Sequence, residues 1–173
     1  MADLLKENGE YDQASKYYHM ILKFYQEGNE VGHMHYMNIN ISLAECYRRN
    51  KEKQKAHEML ENIRKTYSDY IELNSIFGLC FIKDFISEYY EFFNNEEAKV
   101  VPEEIKYCHK TLNEAKNVGE RLLKETGDIM VRIRLIDIYK LLVRIKRCLG
   151  YTELSESLVR AVCRKKELEQ EIR

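Results

Sequence analysis

Histidine and cysteine are the residues of this 173-residue chain best suited to metal or nucleophilic chemistry, and their spacing argues against both. The nearest approaches to a metal-ligand pattern are His33-Met34-His35 and the adjacent pair Cys108-His109. On a helix, side chains one or two residues apart project in different directions, so neither pair converges on one ion. His19 and His57 stand alone and read as surface or packing residues. Catalysis needs a nucleophile or metal together with a base and an orienting group. No nucleophile elbow, phosphate loop, dinucleotide fingerprint or zinc motif occurs. The expectation is a protein that is not an enzyme and uses no cofactor and no metal.

Binding is the other chemistry to weigh. Tyrosine is abundant, at 13 residues, and Tyr11, Tyr17, Tyr18, Phe24, Tyr25, Tyr36 and Tyr47 cluster near the N-terminus. Aromatic and basic residues interleaved in this way can stack nucleobases, but nucleic acid also needs a broad basic face. Lys+Arg 28 against Asp+Glu 29 gives a net charge of −1, so no global field favours polyanions. The run Arg164-Lys165-Lys166-Glu167-Leu168-Glu169-Gln170-Glu171 reads as an exposed helix laced with i,i+4 pairs. Nucleic acid is therefore not the expected partner.

The elements that carry these residues are helices. One Pro, 7 Gly and 45% apolar residues, with no sustained polar/apolar alternation, point to an all-α chain. Breakers at Asn8-Gly9, Gly28 to Gly32, Asn50-Lys51, Ser68-Asp69, Asn94 to Pro102, Thr126-Gly127-Asp128 and Gly150-Tyr151-Thr152 leave eight segments, near 1–8, 10–27, 31–49, 52–67, 69–93, 102–126, 128–149 and 151–171. Pro102 with Glu103 and Glu104 suits a helix first turn, Gly127-Asp128 reads as a stop followed by an N-cap, and Thr152 offers a similar start. Short connections make neighbours antiparallel, so the segments pair into hairpins 1–27, 31–67, 69–126 and 128–171 of a single domain over 1–173.

The hairpins repeat. Leu4-Leu5-Lys6-Glu7-Asn8-Gly9-Glu10-Tyr11-Asp12-Gln13-Ala14-Ser15-Lys16-Tyr17-Tyr18, continuing to Ile21 and Leu22, resembles the turn and second helix of a tetratricopeptide repeat. Asn38 to Ala56 resembles a second copy, with Leu43, Ala44 and Tyr47 on its first helix and Ala56 on its second, although Lys51 stands where the family has its turn glycine. Ile86-Ser87-Glu88-Tyr89-Tyr90 and Leu142-Val143-Arg144-Ile145-Lys146 resemble further first helices. The small-residue positions Ala2, Ala44, Ser87 and Val143 lie 42, 43 and 56 residues apart, longer than the roughly 34-residue standard repeat and similar to its longer-helix variants. Ala2 already occupies the small position, so the chain is expected to start inside a first repeat.

The resemblance implies an α-solenoid of about four hairpins, a TPR-like superhelix that serves as a non-catalytic protein–protein interaction module or scaffold. First helices in that fold line a concave groove that accepts a peptide or partner helix. Spacing by three and four places Asn38, Ile41, Glu45 and Arg48 on the groove face of the second hairpin, Phe81, Asp84, Glu88 and Glu91 on the third, and Asp137, Lys140, Arg144 and Arg147 on the fourth. The basic stripe suits an acidic segment of a partner, or it simply pairs with the acidic stripe beside it. Ile41, Phe81 and the freer Tyr17, Tyr25 and Tyr36 are the expected apolar contacts. Two alternative roles fit the same pattern: the peptide-sensing domain of a regulator, or a structural subunit of a large multiprotein complex. Five unpatterned cysteines and uninterrupted runs too short for a bilayer point to a reducing compartment, cytoplasmic or nuclear, with no membrane partner.

Overall fold

A computed structural model describes residues 1–28, 34–70, 74–94, 102–150 and 156–171. Among these residues the chain is all-α, with eight helices and no strand. They group into two compact units, 1–71 and 72–173.

The N-terminal unit holds α1 (Ala2–Glu7), α2 (Tyr11–Glu27), α3 (Met34–Arg49) and α4 (Lys53–Tyr70), each packed on the next. Small residues set the approach distances: Ala14 of α2, Ala44 of α3 and Ala56 of α4 are fully enclosed, and Ala2 is 6% exposed. Tyr18, Leu22, Leu43, Leu60 and Ile63 fill the space around them. Ala2 and Ala44 are 42 residues apart, and so are Ala14 and Ala56.

The α1–α2 and α3–α4 turns are the same structure at that same interval. Gly9 donates to the Lys6 carbonyl and Glu10 to the Leu5 carbonyl, while Lys51 donates to Arg48 and Glu52 to Tyr47. This pair of bonds is a Schellman cap, which needs a left-handed residue at its centre. Gly9 has φ +82° and Lys51 has φ +64°. Lys51 thus adopts the backbone of the glycine it stands in for, at the cost of crowding its own Cβ.

The C-terminal unit holds α5 (Ile76–Asn94), α6 (Pro102–Thr126), α7 (Ile129–Cys148) and α8 (Glu156–Gln170). Each packs on the next, and α5 also packs on α7. An aromatic column runs along α5: Phe81 stacks on Phe85 at 6.0 Å, Phe85 meets Tyr89 at 5.6 Å and Tyr89 meets Phe93 at 4.8 Å. The polar tip of Tyr89 is satisfied by donating to Glu104 of α6 at 2.6 Å. Gly119 brings α6 tight against α7, since a Cβ there would lie 2.7 Å from Cδ2 of the fully buried Leu135.

Local signals set several boundaries as expected. α6 begins at Pro102 with Glu103 and Glu104 in its first turn, and Asp128 caps α7 by accepting from the Met130 amide at 2.7 Å. One expected break is absent: Ser68-Asp69 lies inside α4, and the following helix starts at Ile76 instead of near 69. Serine and aspartate are weak breakers without a glycine or proline, whereas Ser75 accepts from the Gly78 amide at 3.1 Å and so fixes the real start. Thr152, residues 95–101 of the expected break and His33 lie outside the described residues.

Candidate interaction surfaces

The groove candidates of the N-terminal unit meet α1. Lys6 Nζ donates to Glu45 Oε2 at 2.9 Å and to Ser42 Oγ at 3.4 Å, so the first helices of successive hairpins touch. Burial alone would lower the Lys6 ammonium pKa, but Glu45 overrides it and the net shift is upward. Asn38 and Arg48 are half-buried and Ile41 is buried. Ile41 therefore offers a partner little apolar area.

In the C-terminal unit the acidic and basic stripes meet through Arg144 and Glu91. Arg144 Nη2 donates to Glu91 Oε1 at 2.6 Å, and the guanidinium lies 5.3 Å from the Tyr90 ring centroid. Burial above all, with Cys148 next, pushes the Tyr90 phenol up to about 12. Asp84 pairs with Lys83 at 2.8 Å, Glu88 is buried, and Phe81 is enclosed in the aromatic column. Lys140 lies 3.6 Å from Asp137 and 4.0 Å from Glu169, and Arg147 is exposed. The basic stripe is thus engaged largely by carboxylates of its own unit.

Exposed apolar surface is found instead on α2. Its inner face carries the buried Ala14, Tyr18 and Leu22, and its outer face carries Tyr17, Met20, Ile21 and Phe24, exposed by 42%, 67%, 38% and 72%. These four recur at i, i+3, i+4 and i+7, a continuous stripe on one side of the helix. Ile21, expected beside Leu22 in the packing, lies on this outer side because the inner phase advances from Tyr18 to Leu22. Phe24 meets Tyr25 edge-on at 6.4 Å, and Tyr25 meets Tyr36 of α3 at 6.3 Å.

Tyr36 also lines a cleft of about 640 Å³ among α2, α3 and α4. There His19 Nε2 and Tyr47 Oη lie 2.5 Å apart, and the Lys55 ammonium sits 5.1 Å from the Tyr47 ring centroid. Met20 and Phe24 are absent from the contacts that the sequence led us to expect. Their signal is nonetheless there, because the apolar residues of α2 span a wider arc of the helix than the face that carries Ala14, Tyr18 and Leu22.

A second concavity, of about 380 Å³, lies among α6, α7 and α8. Lys116 of α6, Lys146 of α7, and Arg160 and Arg164 of α8 line it. None of these belongs to the expected groove stripes, which follow the opposite phase of α7. Arg164 holds Glu120 through Nε at 3.0 Å and Nη2 at 2.9 Å, while Tyr139 donates to Glu120 at 2.9 Å. Burial would raise the Glu120 carboxyl, but the hydrogen bonds from Arg164 and then Tyr139 hold it below its ordinary value.

Among the described residues no three His, Cys, Asp or Glu side chains gather as metal ligands would, and no disulfide joins the five cysteines. No described helix is long and apolar enough to cross a membrane. No family model, curated protein or solved structure matches this chain.

Proposed function

We propose that the chain is a TPR-like helical-repeat module that binds a partner protein by accepting an amphipathic helix along α2. The observation that carries this reading is the outer stripe of Tyr17, Met20, Ile21 and Phe24, on a helix whose other face is already filled. Unpartnered apolar stripes of this spacing are what a partner helix covers in helix-in-groove recognition, through anchors at i, i+3, i+4 and i+7. Two further observations support a repeat architecture: the recurrence of buried alanines and Schellman turns at 42 residues, and the contact of α1 with α3 through Lys6 and Glu45. The binding surface differs from the expected groove because Ile41 and Phe81 are buried, whereas α2 exposes four apolar side chains in one stripe.

The test is a crosslinking pull-down from cell extract with a photoreactive residue at position 17. The doubly substituted chain Met20→Glu, Phe24→Glu should lose a partner that the parent chain captures, with circular dichroism unchanged. A parallel chain carrying Lys140→Glu, Arg144→Glu and Arg147→Glu should keep it. Retention by the first chain and loss by the second would return the interface to the basic stripe.

A further inference from the structure

We propose that the crevice among α6, α7 and α8 binds a small phosphorylated molecule, with its phosphate held by Lys116, Lys146 and Arg160. Three helices each contribute a cation to one concavity, so the site exists only in the folded unit. Lys146 is the informative member. On α7 the inward phase runs Leu135, Ile138, Leu142 and Ile145, all buried, and Lys146 shares that phase at only 6% exposed. An ammonium at this position gives up most of its contact with water. It also lines the crevice, so a cation and not an apolar side chain occupies this inward position.

Two neighbouring groups feel the positive charge of Lys116. Burial and then Lys116 push the Lys146 ammonium below its ordinary value, and burial followed by Lys146 and Lys116 pushes the His109 imidazole the same way. An anion held between Lys116 and Lys146 offsets the repulsion between them. Arg164 forms the far wall, oriented by its two bonds to Glu120, so that wall is in place before any ligand arrives.

Charge and size select the class of anion. Three cations converge beyond the Arg164–Glu120 pair, which suits the double charge of a phosphate ester better than the single charge of a carboxylate. The volume of about 380 Å³ falls in the range of small-molecule sites and exceeds what a lone phosphate fills. Tyr139, Leu142 and Ala161 supply the less polar wall for the remainder of the molecule.

The experiment uses the full chain and isothermal titration with inorganic pyrophosphate, ribose 5-phosphate and gluconate, a singly charged sugar carboxylate. Both phosphates should bind, and gluconate should bind at least tenfold more weakly. Lys116→Ala and Arg160→Ala should each weaken pyrophosphate by about tenfold or more, as loss of one charge-assisted bond does. Lys146→Met should abolish binding with circular dichroism unchanged. Arg147→Ala, at an exposed position outside the crevice lining, should leave affinity unchanged. The proposal is overturned if neither phosphate binds, if gluconate binds as well as they do, or if the Lys116 and Arg160 variants bind like the parent.

Discussion

Arg144 and Glu91 meet at 2.6 Å and join α7 to α5, so two residues that read as opposing groove stripes are partners within one unit. Arg144 is half exposed, and pairs of this kind contribute about 0.2–1 kcal/mol. Arg144→Glu should cost about 1 kcal/mol in urea unfolding, because it replaces attraction with repulsion. The swap Arg144→Glu with Glu91→Arg should recover at least half of that loss. No recovery would mean that stacking on Tyr90, and not the ion pair, is what Arg144 contributes.

The outer stripe of α2 makes a different forecast, because its side chains touch solvent. Met20→Lys and Phe24→Lys should change unfolding stability by no more than about 0.5 kcal/mol, as surface substitutions do. They should also lower binding of an apolar dye and raise the concentration at which the chain self-associates. A stability loss of several kcal/mol would show that the stripe is packed.

Lys51 carries left-handed strain at a turn where Gly9 carries none. Lys51→Gly should stabilise the N-terminal unit by about 0.5–1 kcal/mol, the strain relieved less the entropy glycine adds to the unfolded chain. Gly9→Ala, the opposite change at the equivalent turn, should destabilise by about 1 kcal/mol. Thermal unfolding of both variants reads the pair.

Gly119→Ala sets a clash with Leu135 against better helix propensity. Propensity favours alanine by about 1 kcal/mol, and overpacking in a filled contact costs about 1–3 kcal/mol. Net destabilisation is expected because Leu135 is fully buried and its Cγ would also lie within 2.9 Å. In a Leu135→Ala background the same substitution should be neutral or stabilising, a coupling that a double-mutant cycle measures directly.

Glu120 gives the pH dependence. Its folded-state carboxyl lies below its ordinary value of 4.5, so its contribution is fully present above that value and is lost as pH falls through the lower, folded one. Stability of the C-terminal unit should therefore drop on acidification below about pH 4.5. Glu120→Gln should cost about 1–2 kcal/mol at neutral pH, discounted for partial exposure, and should flatten that acid limb. An unchanged slope in the variant would assign the acid sensitivity to other carboxylates.

Local chemistry made much of the fold legible. Gly127-Asp128 and Pro102-Glu103-Glu104 act within one helical turn, so the bounds of α6 and α7 follow from neighbouring residues alone. The turn at Lys51 is recognisable by its place in the 42-residue pattern even without glycine. The break near Ser68-Asp69 fails for the same reason inverted: it rests on residues that interrupt a helix only when something else competes for the backbone.

The surfaces are another matter. Helical periodicity assigns α2 a wide apolar arc and cannot say which part of it acquires a neighbour, since that depends on where α1 and α3 lie. Packing chose Ala14, Tyr18 and Leu22 for the interior and left Tyr17, Met20, Ile21 and Phe24 outside. Lys146 likewise reads as one more charge among many on α7. Its proximity to Lys116 and Arg160 arises from residues 30 and 14 positions away, brought together when three helices close on one another. Helices, caps and turns have energies set within a few residues, and these can be read along the chain. Which apolar face stays exposed, and which cations share a crevice, are settled by contacts between distant segments and emerge only when those segments pack.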